Sequence, residues 1–352
     1  MKKVIIFFIL ICVGSRYSNA QLISKEDSSM IQQAFYFFEG KLPGAMVSII
    51  SNGSEIYFRN FGLANYETKE KLTRNHYFYL SSLGKIYTSM AILKLVETNK
   101  LSLDESISDI FPDFPKYGEK ITVRNLLSHT SGLIDYNPSE LSSNLELLKY
   151  LYDQDSLKIN PGSQWLYSNS DYPLLASIIE KRSKTTYHKY LKKSIFKKLK
   201  VNKFQFINEL KNESIVKGYH EKSLNFTPVN ESYGHVYGER GIFLTFNDLV
   251  KTENAIFSNK NIPIKSYNKS FEKFLTSNNY EINYGLGWYI VPQDKENPDK
   301  TIYWIGGRDH GFQNVIVHFP DEKLSVIILI NRDQMYNSIV KMAVDIGKLA
   351  ID

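Results

Sequence analysis

The sequence has almost no cysteine: Cys12 is the only one among 352 residues. Because Cys12 lies within the first 20 residues, a chain that has lost them contains no thiol. That excludes disulfides, cysteine nucleophiles and cysteine metal ligands. The histidines include no pair at the i, i+4 spacing of a zinc-binding helix, so no metal site is expected. A phosphate-binding loop around Gly84-Lys85 would need a glycine at Tyr79, and we expect no cofactor.

Charge of one sign is also scarce. The formal net charge is +6, of which the first 20 residues contribute half, and this excess is too mild to indicate a nucleic-acid partner. The one basic concentration, Lys181–Lys203, alternates lysines with apolar residues at helical spacing. That pattern indicates a solvated helix face whose apolar stripe covers the core; the alternative is a surface that rests on an anionic envelope.

The first 20 residues have the sequence pattern of a signal peptide. Lys2 and Lys3 precede an apolar run over Val4–Val13, and small residues lead to Ala20. We expect cleavage after residue 20 and export to the periplasm or the outside of the cell. Lipidation at Cys12 is the less favoured alternative, because a small residue is wanted where Ile11 stands. No later apolar run is long enough to span a membrane, so we expect no stable span.

Strand patterns occupy both ends of the remaining chain. A helix over 27–39 precedes two strands, Ala45–Ser51 and Glu55–Phe61, which the turn pair Asn52-Gly53 joins as a hairpin. The C-terminal third has four more strand patterns and a last helix; these are Gly287–Val291, Thr301–Ile305, Asn314–Phe319, Leu324–Ile330 and Tyr336–Ala350.

The middle of the chain, about residues 85–250, has mostly helical patterns. This order predicts an α+β fold, with an antiparallel β-sheet that both chain ends form and helices flank. The helical middle would be an inserted lobe of a single domain over residues 21–352. A cleft between the sheet and this lobe is the expected place for a site.

Ser82 and Lys85 form a serine-x-x-lysine pair at the start of a helical pattern. On a helix the two residues share a face, so Lys85 would lie beside the Ser82 hydroxyl. A serine needs such a base to become a nucleophile, and burial would lower the pKa of the lysine toward that role. The alternative is that Ser82 only caps the helix. The same serine-x-x-lysine pattern begins at five other serines: Ser194, Ser214, Ser266, Ser270 and Ser338.

Two further segments have residues suited to bind an acyl substrate. Tyr167 and Asn169 would supply a phenolic base and an amide that both donates and accepts hydrogen bonds, although a polar loop before a helix explains them as well. Tyr303–Gly307 ends a strand pattern in glycine, which would let a ligand lie along the strand edge; an ordinary tight turn is the alternative.

Taken together, these motifs resemble the serine β-lactamase and penicillin-binding-protein superfamily. The likeness is to its branch of class C β-lactamases, D-alanyl-D-alanine carboxypeptidases and esterases, whose motifs are serine-x-x-lysine, tyrosine-x-asparagine and a basic residue-x-glycine. Framework stretches at 121–133, 238–249, 284–288 and 311–312 are similar too.

The resemblance implies a role for each matching residue. Ser82 would be the acylated nucleophile, Lys85 its proton partner and Tyr167 a base and then an acid. Asn169 would hold the substrate amide, and the Ser82 backbone N–H, with one from the strand near Arg308, would form the oxyanion hole. The order in which Lys85 and Tyr167 take the proton stays open.

The third motif departs from the family pattern. Aligned on Gly311-Phe312, the basic residue falls on Ile305, followed by Gly306 and Gly307; a one-residue shift would place Trp304 there. Arg308 or His310 are candidate replacements, although strand alternation leaves the direction of Arg308 open. The usual partner of a substrate carboxylate is therefore missing, which favours an ester or an amide without a carboxylate.

The sequence thus predicts a serine hydrolase that forms an acyl-enzyme on a small-molecule or peptide substrate, with an oligomeric state that it does not reveal. The alternative is a catalytically impaired relative that binds cell-wall peptide or another ligand in the same cleft. An α/β-hydrolase is excluded, because no serine has the flanking glycines of a nucleophile elbow.

Overall fold

The structure is a computed structural model that describes residues 23–137, 140–211, 214–230, 235–258, 264–265, 267–295, 299–333 and 336–351. The signal-peptide prediction for residues 1–20 lies outside the described residues. Within the described ranges no helix has both the length and the apolar character needed to cross a membrane.

A six-stranded antiparallel sheet forms the centre of the molecule. Its strands come from both ends of the chain, in the spatial order β12-β13-β14-β15-β1-β2. Their bounds are β1 Ala45–Ser51, β2 Ser54–Phe61, β12 Tyr289–Pro292, β13 Thr301–Asp309, β14 Phe312–Phe319 and β15 Leu324–Ile330. The pairing of β1 with β15 joins the two chain ends, and it confirms the predicted sheet.

Helices cover both faces of this sheet. Val47 and Ile49 of β1 point to one face. There they share a core with Ile31 of the first helix, α1 (Lys25–Ala34), and Ile339 of the last helix, α10 (Tyr336–Leu349). Met46, on the opposite face, shares the larger core with the helices of the middle segment. Because both faces are covered, every residue of β14 and β15 is buried, and these strands lack the polar alternation of a half-exposed sheet.

The helical middle lies between β5, Tyr77–Tyr79, and β9, Ile242–Thr245. In a small separate sheet, β9 is the central strand and pairs with β5 on one side and with β6, Phe204–Phe206, on the other. The helices are α1 Lys25–Ala34, α2 Lys85–Glu97, α3 Ile107–Ile110, α4 Val123–Leu127, α5 Asn144–Tyr152, α6 Asp171–Ser183, α7 Tyr187–Tyr190, α8 Lys197–Leu199, α9 Phe246–Ser258 and α10 Tyr336–Leu349. The remaining strands are β3 Leu63–Asn65, β4 Glu70–Lys71, β5 Tyr77–Tyr79, β6 Phe204–Phe206, β7 Tyr219–Lys222, β8 Asn225–Pro228, β9 Ile242–Thr245, β10 Phe274–Leu275 and β11 Glu281–Ile282.

Two local predictions were wrong. The first helix ends at Ala34 rather than at residue 39, and a separate 3₁₀ turn follows it. The strand predicted to stop at Ile305 continues through both glycines to Asp309, because Gly306 and Gly307 pair with Val315 and Asn314 of β14. The turn lies later, at His310 and Gly311, which both have positive φ.

Candidate active site

Ser82 lies on a short 3₁₀ turn, Ser81–Gly84, between strand β5 and helix α2. Ser81 has a φ of +51°, an unusual value for a residue with a side chain, and it is fully buried. Strand β13 packs directly on this turn at Gly307, where an added Cβ would lie 2.5 Å from the Leu80 carbonyl oxygen. A glycine is therefore required at 307 for the strand to lie beside Ser82.

The Ser82 hydroxyl has two polar neighbours within hydrogen-bond distance. The Lys85 ammonium donates to Ser82 Oγ at 3.0 Å, as the i, i+3 spacing predicts. The Tyr167 hydroxyl lies 3.2 Å from the same oxygen, with either oxygen able to donate. The three side chains thus form a cluster in which a proton can leave Ser82 without passing through solvent.

Lys85 is buried, with 1% of the side chain exposed, but its environment differs from the one expected. Burial alone would lower the pKa of this lysine. The attraction of Tyr167 and of the Glu239 carboxylate outweighs burial, so the pKa of Lys85 lies above its ordinary value. The expectation that burial would lower the pKa of this lysine was therefore wrong in direction, and the protonated form of Lys85 is favoured.

The segment that contains Tyr167 is held from behind by buried polar groups. The His129 ring packs 4.3 Å from the Tyr167 ring, centroid to centroid, and its Nδ1 lies 2.7 Å from Asp171 Oδ2. The Ser168 N–H donates to the same Nδ1 at 3.5 Å. Burial lowers the pKa of His129 and raises the pKa of Asp171, which favours the uncharged form of each. This pair fixes the backbone that carries Tyr167 and Asn169.

Asn169 faces a carboxylate that the sequence did not indicate. Asp135 accepts the Asn169 backbone N–H at 2.8 Å and its side-chain amide at 3.3 Å. Burial and repulsion from Glu239 raise the pKa of Asp135. Asp135 thus fixes the Asn169 side chain through its amide nitrogen. The amide oxygen of Asn169 takes no part in this pairing.

The third predicted segment reaches the same place. The cavity at Ser82 has a volume of about 360 Å³. Its lining is Ser82, Lys85, Tyr167, Asn169, Arg240, Tyr284, Tyr289, Ile305, Gly306, Arg308 and Asp309. All of the predicted site residues except Gly307 line it, and Gly307 contacts the Ser82 turn. Arg308 and His310 were the candidate replacements for the missing basic residue. Among the described residues, Arg308 lines the cavity and His310 does not.

Arg240, with its neighbour Glu239, is the main feature of this cavity that sequence reasoning missed. Glu239 Oε2 lies 3.4 Å from Lys85 Nζ, and Arg240 Nε donates to Glu239 Oε1 at 2.8 Å. Arg240 also donates to Asp309 at 2.9 Å. The sequence feature that could have indicated these two residues is a pair of adjacent charges between two glycines, in Gly238-Glu239-Arg240-Gly241.

The arrangement suits nucleophilic catalysis by a hydroxyl. A serine, a cation and a phenol converge at one end of the cavity, and a strand edge borders it. Within the described ranges no group of three or more histidine and acidic side chains could hold a metal ion. A second cavity of about 460 Å³ shares Tyr284 and Tyr289 with the first and extends the space open to a substrate.

The sequence matches the family described as Beta-lactamase over residues 22–347. This match agrees with the geometry of the site around Ser82. The chain belongs to this family. The resemblance inferred from the motifs is thereby confirmed, and so is the predicted α+β fold class. Membership supports a serine hydrolase type of function in general terms.

Two curated relatives are penicillin-binding proteins of Bacillus subtilis (strain 168). Penicillin-binding protein 4* is 27% identical over 80% of this chain and 66% of its own length. The protein named Putative penicillin-binding protein PbpX is 31% identical over 81% of this chain and 70% of its own length. The chain thus spans about two thirds of the length of these relatives.

A solved structure titled "A class C beta-lactamase" superposes with a TM-score of 0.77. The alignment covers 91% of this chain and 92% of that one at 21% identity, a level that shows the shared fold alone.

Proposed function

We propose that this protein is an exported serine hydrolase that works through an acyl-enzyme on Ser82. The observation that carries the proposal is the position of the Ser82 hydroxyl, 3.0 Å from Lys85 Nζ and 3.2 Å from the Tyr167 oxygen. The other five serine-x-x-lysine pairs of the sequence have no part in the proposed site. The signal-peptide plan of residues 1–20 supports export.

In the acylation step, Ser82 Oγ forms a bond to the substrate carbonyl carbon while its proton passes to the Tyr167 oxygen. The Lys85 ammonium stabilises the phenolate form of Tyr167 that accepts the proton. The tetrahedral oxyanion would lie between the backbone N–H groups of Ser82 and Arg308. As the intermediate collapses, the bond to the leaving group breaks and Tyr167 returns the proton to that group.

Deacylation would run through the same groups in reverse. A water molecule takes the place of the leaving group, gives its proton to Tyr167 and attacks the acyl carbon. The ester bond to Ser82 breaks, and the serine oxygen recovers the proton. Asn169 would hold the amide or carbonyl dipole of the acyl part, in the orientation that Asp135 fixes.

We propose a substrate without a carboxylate next to the reacting bond. Ile305, at the position where the family has a basic residue, is buried with 3% exposed. Of the three cations that line the cavity, Lys85 and Arg240 already have carboxylate partners: Glu239 for Lys85, and both Glu239 and Asp309 for Arg240. A substrate carboxylate would have to compete with these buried pairs, whereas a neutral ester or amide would not.

The two-lobe organisation predicted from the sequence is part of the same proposal. Tyr167 and Asn169 belong to the helical lobe of about 85–250, and β13 belongs to the sheet. We infer that substrate lies between them.

A matched pair of substrates tests this function. An acyl-D-alanyl-D-alanine with a free carboxylate is compared with its carboxyl methyl ester, beside simple aryl esters and penicillins, using wild type and Ser82→Ala. We expect hydrolysis of the uncharged compounds at rates at least equal to the free acid, and none in Ser82→Ala. Turnover that survives in Ser82→Ala would reject Ser82 as nucleophile. Binding without turnover in both proteins would support the catalytically impaired alternative.

A further inference from the structure

The buried amine of Lys85 has a second partner besides Ser82 and Tyr167. Glu239 Oε2 lies 3.4 Å from Lys85 Nζ, and each of these two side chains is 1% exposed. A charge at this depth is costly unless an opposite charge and hydrogen bonds accompany it. Glu239 has both, because the Tyr136 hydroxyl and Arg240 Nε donate to its other carboxylate oxygen.

The backbone that carries Glu239 is fixed in place. Gly238 has a φ of +110°, and a Cβ there would lie 2.4 Å from the Tyr172 carbonyl oxygen of α6. The Thr88 hydroxyl of α2 donates to the Gly238 carbonyl at 2.6 Å. Helix α2, which begins at Lys85, thus anchors the residue before Glu239. The carboxylate has little freedom to move away from the lysine.

We propose that Glu239 is a positioning residue that keeps Lys85 an ammonium ion and thereby leaves Tyr167 to accept the Ser82 proton. This inference rests on the proposed hydrolase function. The supporting geometry is that Lys85 Nζ contacts both Ser82 Oγ, at 3.0 Å, and Glu239 Oε2, at 3.4 Å.

The charged and titratable groups around this pair come from several elements. Those that act on Lys85 or Glu239 are Tyr167, Tyr172, His129, Asp171, Asp135, Tyr136 and Arg240. His129 and Asp171 are held toward their uncharged forms, and Arg240 shares its charge between Glu239 and Asp309. Glu239 is therefore the carboxylate in direct contact with the lysine amine among the described residues.

Loss of this carboxylate charge has a defined effect on pH dependence. A nearby negative charge opposes the loss of protons from the Lys85–Tyr167 pair, so it raises the pH at which each proton leaves. Removing the charge lowers both values. The rate of Ser82 acylation against pH should therefore shift as a whole to lower pH, by about 1 to 3 units.

The experiment measures the second-order rate of Ser82 acylation by a fluorophosphonate from pH 5 to 11 in wild type, Glu239→Gln, Glu239→Asp and Glu97→Gln. Glu97 pairs with Lys94 on the surface end of the same helix and serves as the matched control. We expect the profile of Glu239→Gln to move to lower pH, while Glu239→Asp keeps the wild-type position with a smaller amplitude. A Glu239→Gln profile that loses amplitude without moving would overturn the proposal.

A second readout does not need activity. In Ser82→Ala protein labelled with ¹⁵N-lysine, the Lys85 Nζ resonance is assigned by its loss in Lys85→Arg and followed against pH. We expect titration above 10.5 with Glu239 present and at least about tenfold easier proton loss with Glu239→Gln. An unchanged titration would reject the inference even if acylation proceeds. Absence of acylation in wild type with the expected titration would reject the hydrolase and leave only the effect of Glu239 on the charge of Lys85 standing.

Discussion

The hydroxyl groups of Ser82 and Tyr167 lie 3.2 Å apart although 85 residues separate them in the sequence. Helix α2 and strand β13 fix the serine, and the buried His129–Asp171 pair fixes the segment of the tyrosine. In the proposed mechanism, the phenol exchanges a proton with Ser82 while Lys85, which donates to Ser82 Oγ at 3.0 Å, keeps its charge.

Tyr167→Phe should separate catalysis from folding. The phenyl ring can keep its contact with His129, so we expect a melting temperature within about 2 °C of wild type. Loss of the proton acceptor should lower the acylation rate by about 10² to 10⁴. Stopped-flow acylation and a thermal melt measure the two effects. Tyr117→Phe, which removes a hydroxyl that donates to the Leu151 carbonyl, is the control and should leave acylation unchanged.

Gly307→Ala should disturb the turn that carries Ser82. An added Cβ would lie 2.5 Å from the Leu80 carbonyl oxygen and 2.9 Å from the Leu83 nitrogen, so strand or turn must move. We expect a loss of about 1 to 3 kcal/mol in the free energy of unfolding by urea, with slower acylation.

Gly84→Ala is the control for that substitution. Gly84 belongs to the same turn, but a Cβ added there would lie 3.7 Å from the Ile242 side chain, which is an ordinary contact distance. We expect no loss of stability there. Equal stability of the Gly307→Ala protein and wild type would contradict the close packing of β13 on the Ser82 turn.

Asp309 should stabilise the protein in a pH-dependent way. Burial would raise its pKa, but the neighbouring His310 and Arg240 outweigh this, so the pKa of Asp309 lies below its ordinary 3.8. A carboxyl whose pKa is lower in the folded state adds stability above the unfolded value, and this stability is lost as the pH falls below it.

The measurement is the urea midpoint of wild type and Asp309→Asn at several pH values. At pH 7 we expect Asp309→Asn to be less stable by about 1 to 3 kcal/mol, because a charged hydrogen-bond partner of Arg240 is lost. The difference in the free energy of unfolding should narrow as the pH falls below 3.8, the ordinary pKa of an aspartate. A difference that stays constant as the pH falls would show that the carboxylate charge has no part in it.

The sheet could be predicted because its determinants are local. Asn52 and Gly53 both take the positive φ that a tight hairpin turn requires, and the strands on either side follow from their apolar residues. The end of β13 was missed because Gly306 and Gly307 look like a turn; only their pairing with β14 keeps them in the strand.

The site could be predicted only as far as its motifs extend. Ser82, Lys85, Tyr167 and Asn169 follow a spacing that can be read in the chain. The raised pKa of Lys85 could not be predicted, because one of its causes is Glu239, which is 154 residues away. Asp135 was missed for the same reason, since its contact with Asn169 is set by tertiary packing.

The most direct test of the account is the mass of the protein after acylation. Wild type and Ser82→Ala are incubated with a fluorophosphonate and, separately, with a labelled penicillin, and the intact mass and the modified peptide are determined. We expect one fluorophosphonate adduct per chain, located on Ser82, and none in Ser82→Ala. An unmodified wild type with both reagents, or an adduct on a different serine, would contradict it.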